Sequence, residues 1–247
     1  MMNCIVNYSV RIFQTPFELA EKFAEELVIM VAESEKGSSP FTIALSGGST
    51  PELLYSVIGD HFSKSVNWKK VHFFWGDERC VPSDDPESNF GMAKRSLFSK
   101  IDLPSDNIHR IHGEADPPEE AARYSGEISE YTRKRDGLPV FDLVILGLGE
   151  DGHTASIFPS GIILMESERI CEVATHPVSG QKRITLTGRT INNADRVTFL
   201  VTGLKKSGIV EKILNNVSSS RNLPASLIVP AYGAKIWFLD KEAASLL

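Results

Sequence analysis

The chain has 247 residues, 42% of them hydrophobic and 23% charged, a globular composition with enough apolar material for one sizeable core or two small ones, which excludes a disordered, collagenous or coiled-coil protein. With 26 Lys and Arg against 32 Asp and Glu, the net charge of −6 leaves no overall basic field to hold nucleic acid or an anionic membrane, so any anionic ligand must be gripped by local groups. The cysteines Cys4, Cys80 and Cys171 are odd in number and lack C-x-x-C spacing, which points to reduced thiols rather than a disulfide frame or a zinc knuckle.

Apolar runs such as Leu27 to Ala32 fall far short of the ~18 residues of a membrane span. The N-terminus MMNCIVNYSVRIF shows no basic stretch followed by an apolar region, so no secretory signal is expected and the location expected is cytoplasmic. Thr15-Pro16-Phe17-Glu18 reads as a cap, a first-turn proline and a capping-box glutamate, opening a helix with Ala20, Phe23, Leu27, Met30 and Val31 inward until Gly37. A strand over Phe41 to Leu45 follows, then a helix starting near Pro51 and carrying Leu53, Leu54, Val57 and Ile58. Next come a strand over Val71 to Trp75 and a second capped helix at Asp116-Pro117-Pro118-Glu119, with Ala122, Ile128 and Tyr131 on its apolar face. Further strands are expected over Phe141 to Leu146, Ile184 to Leu186, Val197 to Val201 and Ile236 to Leu239. Several of these runs are apolar without alternation, as strands covered on both faces are. Their alternation with helices predicts an α/β fold with a doubly wound, mostly parallel sheet and helices on both faces. No repeat or low-complexity linker interrupts it, so a single domain over residues 1–247 is expected, with room for a subsidiary lobe.

Four strands run into loops rich in glycine and reactive polar residues: Ser46-Gly47-Gly48-Ser49-Thr50-Pro51, Gly76-Asp77-Glu78-Arg79, Gly147 through Thr154, and Thr202-Gly203-Leu204-Lys205-Lys206. Ligands of open α/β sheets bind outside the carboxyl ends of the strands, so the four loops are expected to converge on one site. Ser46, Gly47, Gly48, Ser49 and Thr50 offer backbone N–H groups, hydroxyls and a helix N-terminus, the equipment of a phosphate cradle. Without G-x-x-x-x-G-K-[ST], a nucleoside triphosphate is not indicated. Gly147 to Gly152 matches G-x-G-x-x-G, but it lies past mid-chain and lacks an acidic residue at the end of the next strand, so the dinucleotide reading is rejected. The loop instead leads to His153, placed between Asp151 and an expected helix start, a residue type suited to general-base chemistry at neutral pH.

Arg79 suits bidentate pairing with phosphate or a developing oxyanion, and Asp77 can orient a histidine or a sugar hydroxyl. Lys206, or Lys205, and Arg183 at the head of its strand are further phosphate partners. The G-x-S-x-G elbow of serine hydrolases is missing, since Gly47-Gly48-Ser49-Thr50-Pro51 fails at its last position, and His109 and His112 lack the partners of a metal site. What remains is equipment for adding water, or moving a proton, on a small sugar phosphate.

The runs Ser46 to Pro51, Trp75 to Arg79 with Asn89-Phe90-Gly91-Met92-Ala93, GLGEDGHTASIFP over Gly147 to Pro159, Arg183 to Thr187, and Gly203 to Lys206 resemble the 6-phosphogluconolactonases, in order and over nearly the whole chain. The resemblance implies a Rossmann-like α/β architecture and hydrolysis of 6-phospho-D-glucono-1,5-lactone to 6-phosphogluconate, the second step of the oxidative pentose phosphate pathway, with no metal or organic cofactor. It favours Lys206 over Lys205, and the chain departs from the family after Pro159, with Ser160-Gly161-Ile162 where Gly and then Thr-Pro are common. On this reading His153 activates water, with Asp151, Arg79 and Asp77 around the reacting centre; Ser46 to Thr50, Lys206 and Arg183 bind substrate. The expected partner is a sugar phosphate, with the chain a monomer or weak homo-oligomer. Two alternatives stay open: glucosamine-6-phosphate deamination, whose enzymes carry an Asp-Glu-Tyr stretch that this chain lacks, and a non-catalytic sugar-phosphate sensor.

Overall fold

The computed structural model describes residues 8–247 apart from Ser38; Cys4 lies outside the described residues. Eleven strands are described: β1 (Tyr8–Phe13), β2 (Phe41–Leu45), β3 (Val71–Trp75), β4 (Asp77–Arg79), β5 (Arg133–Arg135), β6 (Leu138–Val140), β7 (Leu143–Leu146), β8 (Cys171–Thr175), β9 (Lys182–Leu186), β10 (Arg196–Val201) and β11 (Ala234–Asp240). The helices are α1 (Pro16–Ser34), α2 (Ser49–His61), α3 (Asn89–Ala93), α4 (Pro117–Tyr131), α5 (Gly188–Asn192) and α6 (Ser207–Leu214). Six strands form one parallel sheet in the order β1-β11-β10-β7-β2-β3. The chain steps one way through β1, β2 and β3 and returns through β7, β10 and β11. Right-handed crossovers therefore place α1 and α2 on one face and α4, α5 and α6 on the other. This is the doubly wound fold, and the order reverses between β2 and β7, where all nine strand residues are buried. Among the described residues, no helix is long and apolar enough to cross a membrane.

Helix starts follow their caps. Thr15 Oγ1 accepts from Glu18 N at 3.1 Å, and Glu18 returns the bond to Gln14 N rather than to Thr15. Asp116 caps α4 through Glu119 N. The buried stripe of α4 is Ala121, Tyr124 and Ile128, not the expected Ala122 and Tyr131, which are exposed. Three more expectations give way. Ile184 to Leu186 belongs to β9, in a separate antiparallel sheet ordered β4-β9-β8, and not to the parallel sheet. Asp77 to Arg79 is strand β4 of that sheet rather than a loop. The run Phe141 to Leu146 starts its strand only at Leu143; β6 precedes it, in a hairpin with β5 whose turn, Asp136-Gly137, has positive φ at both positions.

Candidate functional site

A cavity of about 260 Å³ opens at the carboxyl ends of β2, β7 and β10, at the point where the strand order reverses. Ser46, Gly47, Gly48, Ser49, Thr50, Asp77, Arg79, His153, Arg183 and Lys206 all line it. Asp151 reaches it through His153, and Lys205 is not among the lining residues. Five polypeptide segments thus bring the expected groups to one place.

The first wall is the turn from β2 into α2. Gly48, at φ 98°, caps α2 without a side-chain bond, so the first N–H groups of the helix are left to a ligand. Behind the turn the buried Tyr55 hydroxyl donates to Ser46 C=O at 2.7 Å and accepts from Ser46 N at 3.0 Å, pinning the backbone where strand pairing ends. Thr50 and Thr202 share a hydroxyl hydrogen bond of 2.7 Å that ties the turn to the end of β10, beside the 204–206 turn that carries Lys206. Asp240 accepts from Gly203 N at 3.0 Å and anchors that turn from β11.

The second wall is the loop after β7. No helix begins at His153, contrary to expectation: residues 150–158 form turns closed by a Thr154–Ile157 bridge, and a 3₁₀ segment starts only at Pro159. His153 Nδ1 lies 2.6 Å from Asp151 Oδ1, which also accepts the His153 backbone N–H at 3.1 Å. A carboxylate can only accept, so Nδ1 carries the proton and Nε2 is the basic nitrogen of the ring. Partial burial pulls the Asp151 carboxyl up, but the His153 N–H and imidazole outweigh it and hold the group below its ordinary value. Gly149 makes this fold possible, because a Cβ there would overlap His153 Nδ1 and Asp151 Oδ1. Phe158 packs on the imidazole with ring centres 4.8 Å apart. Ala155 holds φ 47°, a strained conformation at the cavity wall.

The third wall is the small sheet. Arg79 and Arg183 stand directly opposite each other on β4 and β9, and like charges so placed repel. Neither Nε has a hydrogen-bond partner among the described residues, although both are buried. Arg79 Nη1 donates to Glu87 C=O, and Arg183 Nη1 reaches Ser156 Oγ at 3.5 Å. Burial depresses the Arg183 guanidinium below its ordinary value; Asp77 opposes this and Arg79 adds to it. Asp77 does not touch His153. Its Oδ2 accepts from the buried Ser156 Oγ at 2.5 Å, which sets it against the arginines instead. Glu78 turns away from the cavity, accepting from the backbone N–H groups of Arg79, Asn89 and Phe90.

Sequence reasoning passed over Tyr55, Asn89, Ser156 and Thr202 as site residues. Asn89, Ser156 and Thr202 stood inside quoted motifs, which was their only signal, whereas Tyr55 looks like an ordinary helix residue. His109 and His112 take no part in the cavity: His109 Nε2 meets His72 Nδ1 at 2.8 Å and its Nδ1 meets Glu127 at 2.9 Å. No group of three or more His, Cys, Asp and Glu side chains among the described residues is arranged to hold a metal ion.

The family described as glucosamine-6-phosphate isomerases/6-phosphogluconolactonase matches residues 14–237. The 6-phosphogluconolactonases of Aggregatibacter actinomycetemcomitans and Haemophilus influenzae are each 42% identical to this chain over 236 residues, 95% of this chain and 98% of theirs. The solved structure of 6-phosphogluconolactonase from Trypanosoma brucei superposes with a TM-score of 0.87 at 30% identity, covering 98% of this chain and 99% of that one.

Proposed function

The chain belongs to the family of glucosamine-6-phosphate isomerases and 6-phosphogluconolactonases, and from that membership and its cavity we propose that it hydrolyses 6-phospho-D-glucono-1,5-lactone to 6-phospho-D-gluconate, in the oxidative pentose phosphate pathway. The observation that carries this reading is the Asp151–His153 pair, a base with its tautomer fixed, in a cavity whose other walls are a free helix N-terminus and unpaired cations.

The 6-phosphate sits on the Ser46–Thr50 turn and the N-terminus of α2, with Lys206 and Arg183 neutralising it. The lactone carbonyl then lies beside His153. Nε2 takes a proton from water as the water oxygen attacks C1, and the carbonyl electrons move onto the exocyclic oxygen. Arg79 adds positive charge to the same wall, where fixed charge of this kind lowers the barrier by about 3 kcal/mol. The tetrahedral intermediate collapses by breaking the bond from C1 to the ring oxygen, and the imidazolium returns the proton to that oxygen. Asp151 keeps Nδ1 protonated and stabilises the imidazolium in between. The ester carbonyl is electrophilic enough for a base and oxyanion partners to suffice without a covalent intermediate.

The test generates the lactone with glucose-6-phosphate dehydrogenase and follows its disappearance against the spontaneous rate. The wild-type protein accelerates the decay and His153→Ala does not; decay unchanged by the wild-type protein refutes the lactonase reading, and release of ammonia from glucosamine 6-phosphate assigns the chain to the other branch of the family.

A further inference from the structure

Asn89 is the first residue of α3 and one of the most buried polar side chains of the cavity wall, only 2% exposed. Its position is fixed from three sides. The backbone N–H donates to Glu78 Oε1 at 2.8 Å, Glu78 itself being held by Phe90 N at 2.8 Å and Ser88 Oγ at 3.1 Å. Ser88 Oγ accepts from Gly91 N and closes the first turn. The side-chain Nδ2 lies 2.9 Å from Asp77 C=O, and since a carbonyl can only accept, the amide cannot be flipped. Oδ1 must therefore face the other way, over Gly47, where a Cβ would overlap it; this close approach is a reason for a glycine at 47. Among the described residues nothing donates to Oδ1.

We propose that Asn89 Oδ1 accepts a hydrogen bond from a ring hydroxyl of the substrate and so selects a polyhydroxylated lactone over a bare phosphate ester. This rests on the lactonase reading above. A neutral acceptor does nothing for the dianion of a phosphate ester, which has only unprotonated oxygens to offer. A sugar ring brings hydroxyl donors, and a rigidly mounted acceptor discriminates among them because the analogue without the hydroxyl leaves it unpaired.

The experiment compares wild-type protein and Asn89→Ala on the parent 6-phosphogluconolactone and on its 2-, 3- and 4-deoxy analogues, alongside binding of 6-phosphogluconate and of inorganic phosphate by calorimetry. Wild type is expected to lose about ten-fold in kcat/KM on one deoxy analogue, the loss of one hydrogen bond. Asn89→Ala is expected to lose a similar factor on the parent, to suffer no further loss on that analogue, and to bind inorganic phosphate as wild type does. Equal losses of Asn89→Ala on all four substrates, or weakened binding of inorganic phosphate, would show a merely structural role and overturn the assignment. Wild-type discrimination under two-fold against every deoxy analogue overturns it without reference to the variant. Wild-type protein that fails to turn over the parent lactone removes the lactonase reading and this inference together, whereas normal turnover with an indifferent Asn89→Ala removes only the inference.

Discussion

At the amino ends of β2, β7 and β10, positive charge is matched by carboxylates. Arg133 Nη2 donates to Asp142 Oδ1 at 2.8 Å and also meets Asp195, Arg135 meets Asp195 at 2.7 Å, and Arg196 meets Glu26 at 2.7 Å. Asp142 spends its other oxygen on Thr42 N and Oγ1, at 2.8 and 2.7 Å. At the carboxyl ends of the same sheet, Arg79, Arg183 and Lys206 line one cavity with no ion pair to a carboxylate among the described residues, and two of them oppose each other across a ladder. One end pairs its cations with carboxylates; the other leaves them without carboxylate partners, facing a cavity. A protein of net charge −6 thus concentrates positive groups where the strand order reverses.

The contrast can be broken most sharply at His153. His153→Asn is expected to lower kcat by about 100-fold or more while the melting temperature stays that of wild type, since the imidazole is partly exposed and bonded only to Asp151. A large fall in melting temperature would mean that the carboxyl end carries stability after all. Arg183→Met comes next: kcat/KM is expected to fall by about ten- to 100-fold, with stability unchanged or raised by about 0.5 kcal/mol as a like-charge pair disappears. Inorganic phosphate should raise the wild-type melting temperature and raise that of Arg183→Met much less, because only the folded state holds the ion.

Asp142→Ala probes the opposite end. It takes one of the two carboxylate partners of Arg133, leaves the Thr42 N–H without its acceptor, and is expected to cost about 1–2 kcal/mol in chemical denaturation, with kcat within two-fold of wild type. The smallest effect is a pH dependence. Burial pulls the Asp195 carboxyl up, but bonds from Arg135 and Arg133 outweigh it and hold the group below its ordinary 3.8. A depressed folded value contributes stability above the unfolded value, lost as pH falls through the folded one. The stability difference between wild type and Asp195→Asn should therefore be constant from about pH 7 to 5 and shrink below about pH 4; a difference unchanged down to about pH 2 would show that the pairing carries no linkage.

Much of the frame was legible because its signals are local. Thr15-Pro16 and Asp116-Pro117 announce helix starts through cap chemistry, and mostly apolar runs without alternation, such as Phe41 to Leu45, announce strands covered on both faces. Less visible were β1, whose exposed residues carry a weak pattern, and the short β4, which reads as a charged turn. The β5–β6 hairpin did have a signal, the Asp136-Gly137 dipeptide, that went unused. In the cavity, glycine-rich loops after strands mark themselves by composition. Asn89, Ser156 and Tyr55 act through bonds to backbone or carboxylate groups 9 to 79 residues away, which no spacing rule reports.

The sequence by itself determined the parallel frame, the loops that meet at its carboxyl ends, and the chemical kinds of group those loops bring. Tertiary structure alone decided how the groups are held: Asp151 and not Asp77 fixes the His153 tautomer, Arg79 faces Arg183, and the Asn89 oxygen is turned over Gly47. Hydrophobic period and cap chemistry act over a few neighbouring residues and can be read along the chain. Which lone pair meets which proton depends on segments brought together only when the core closes.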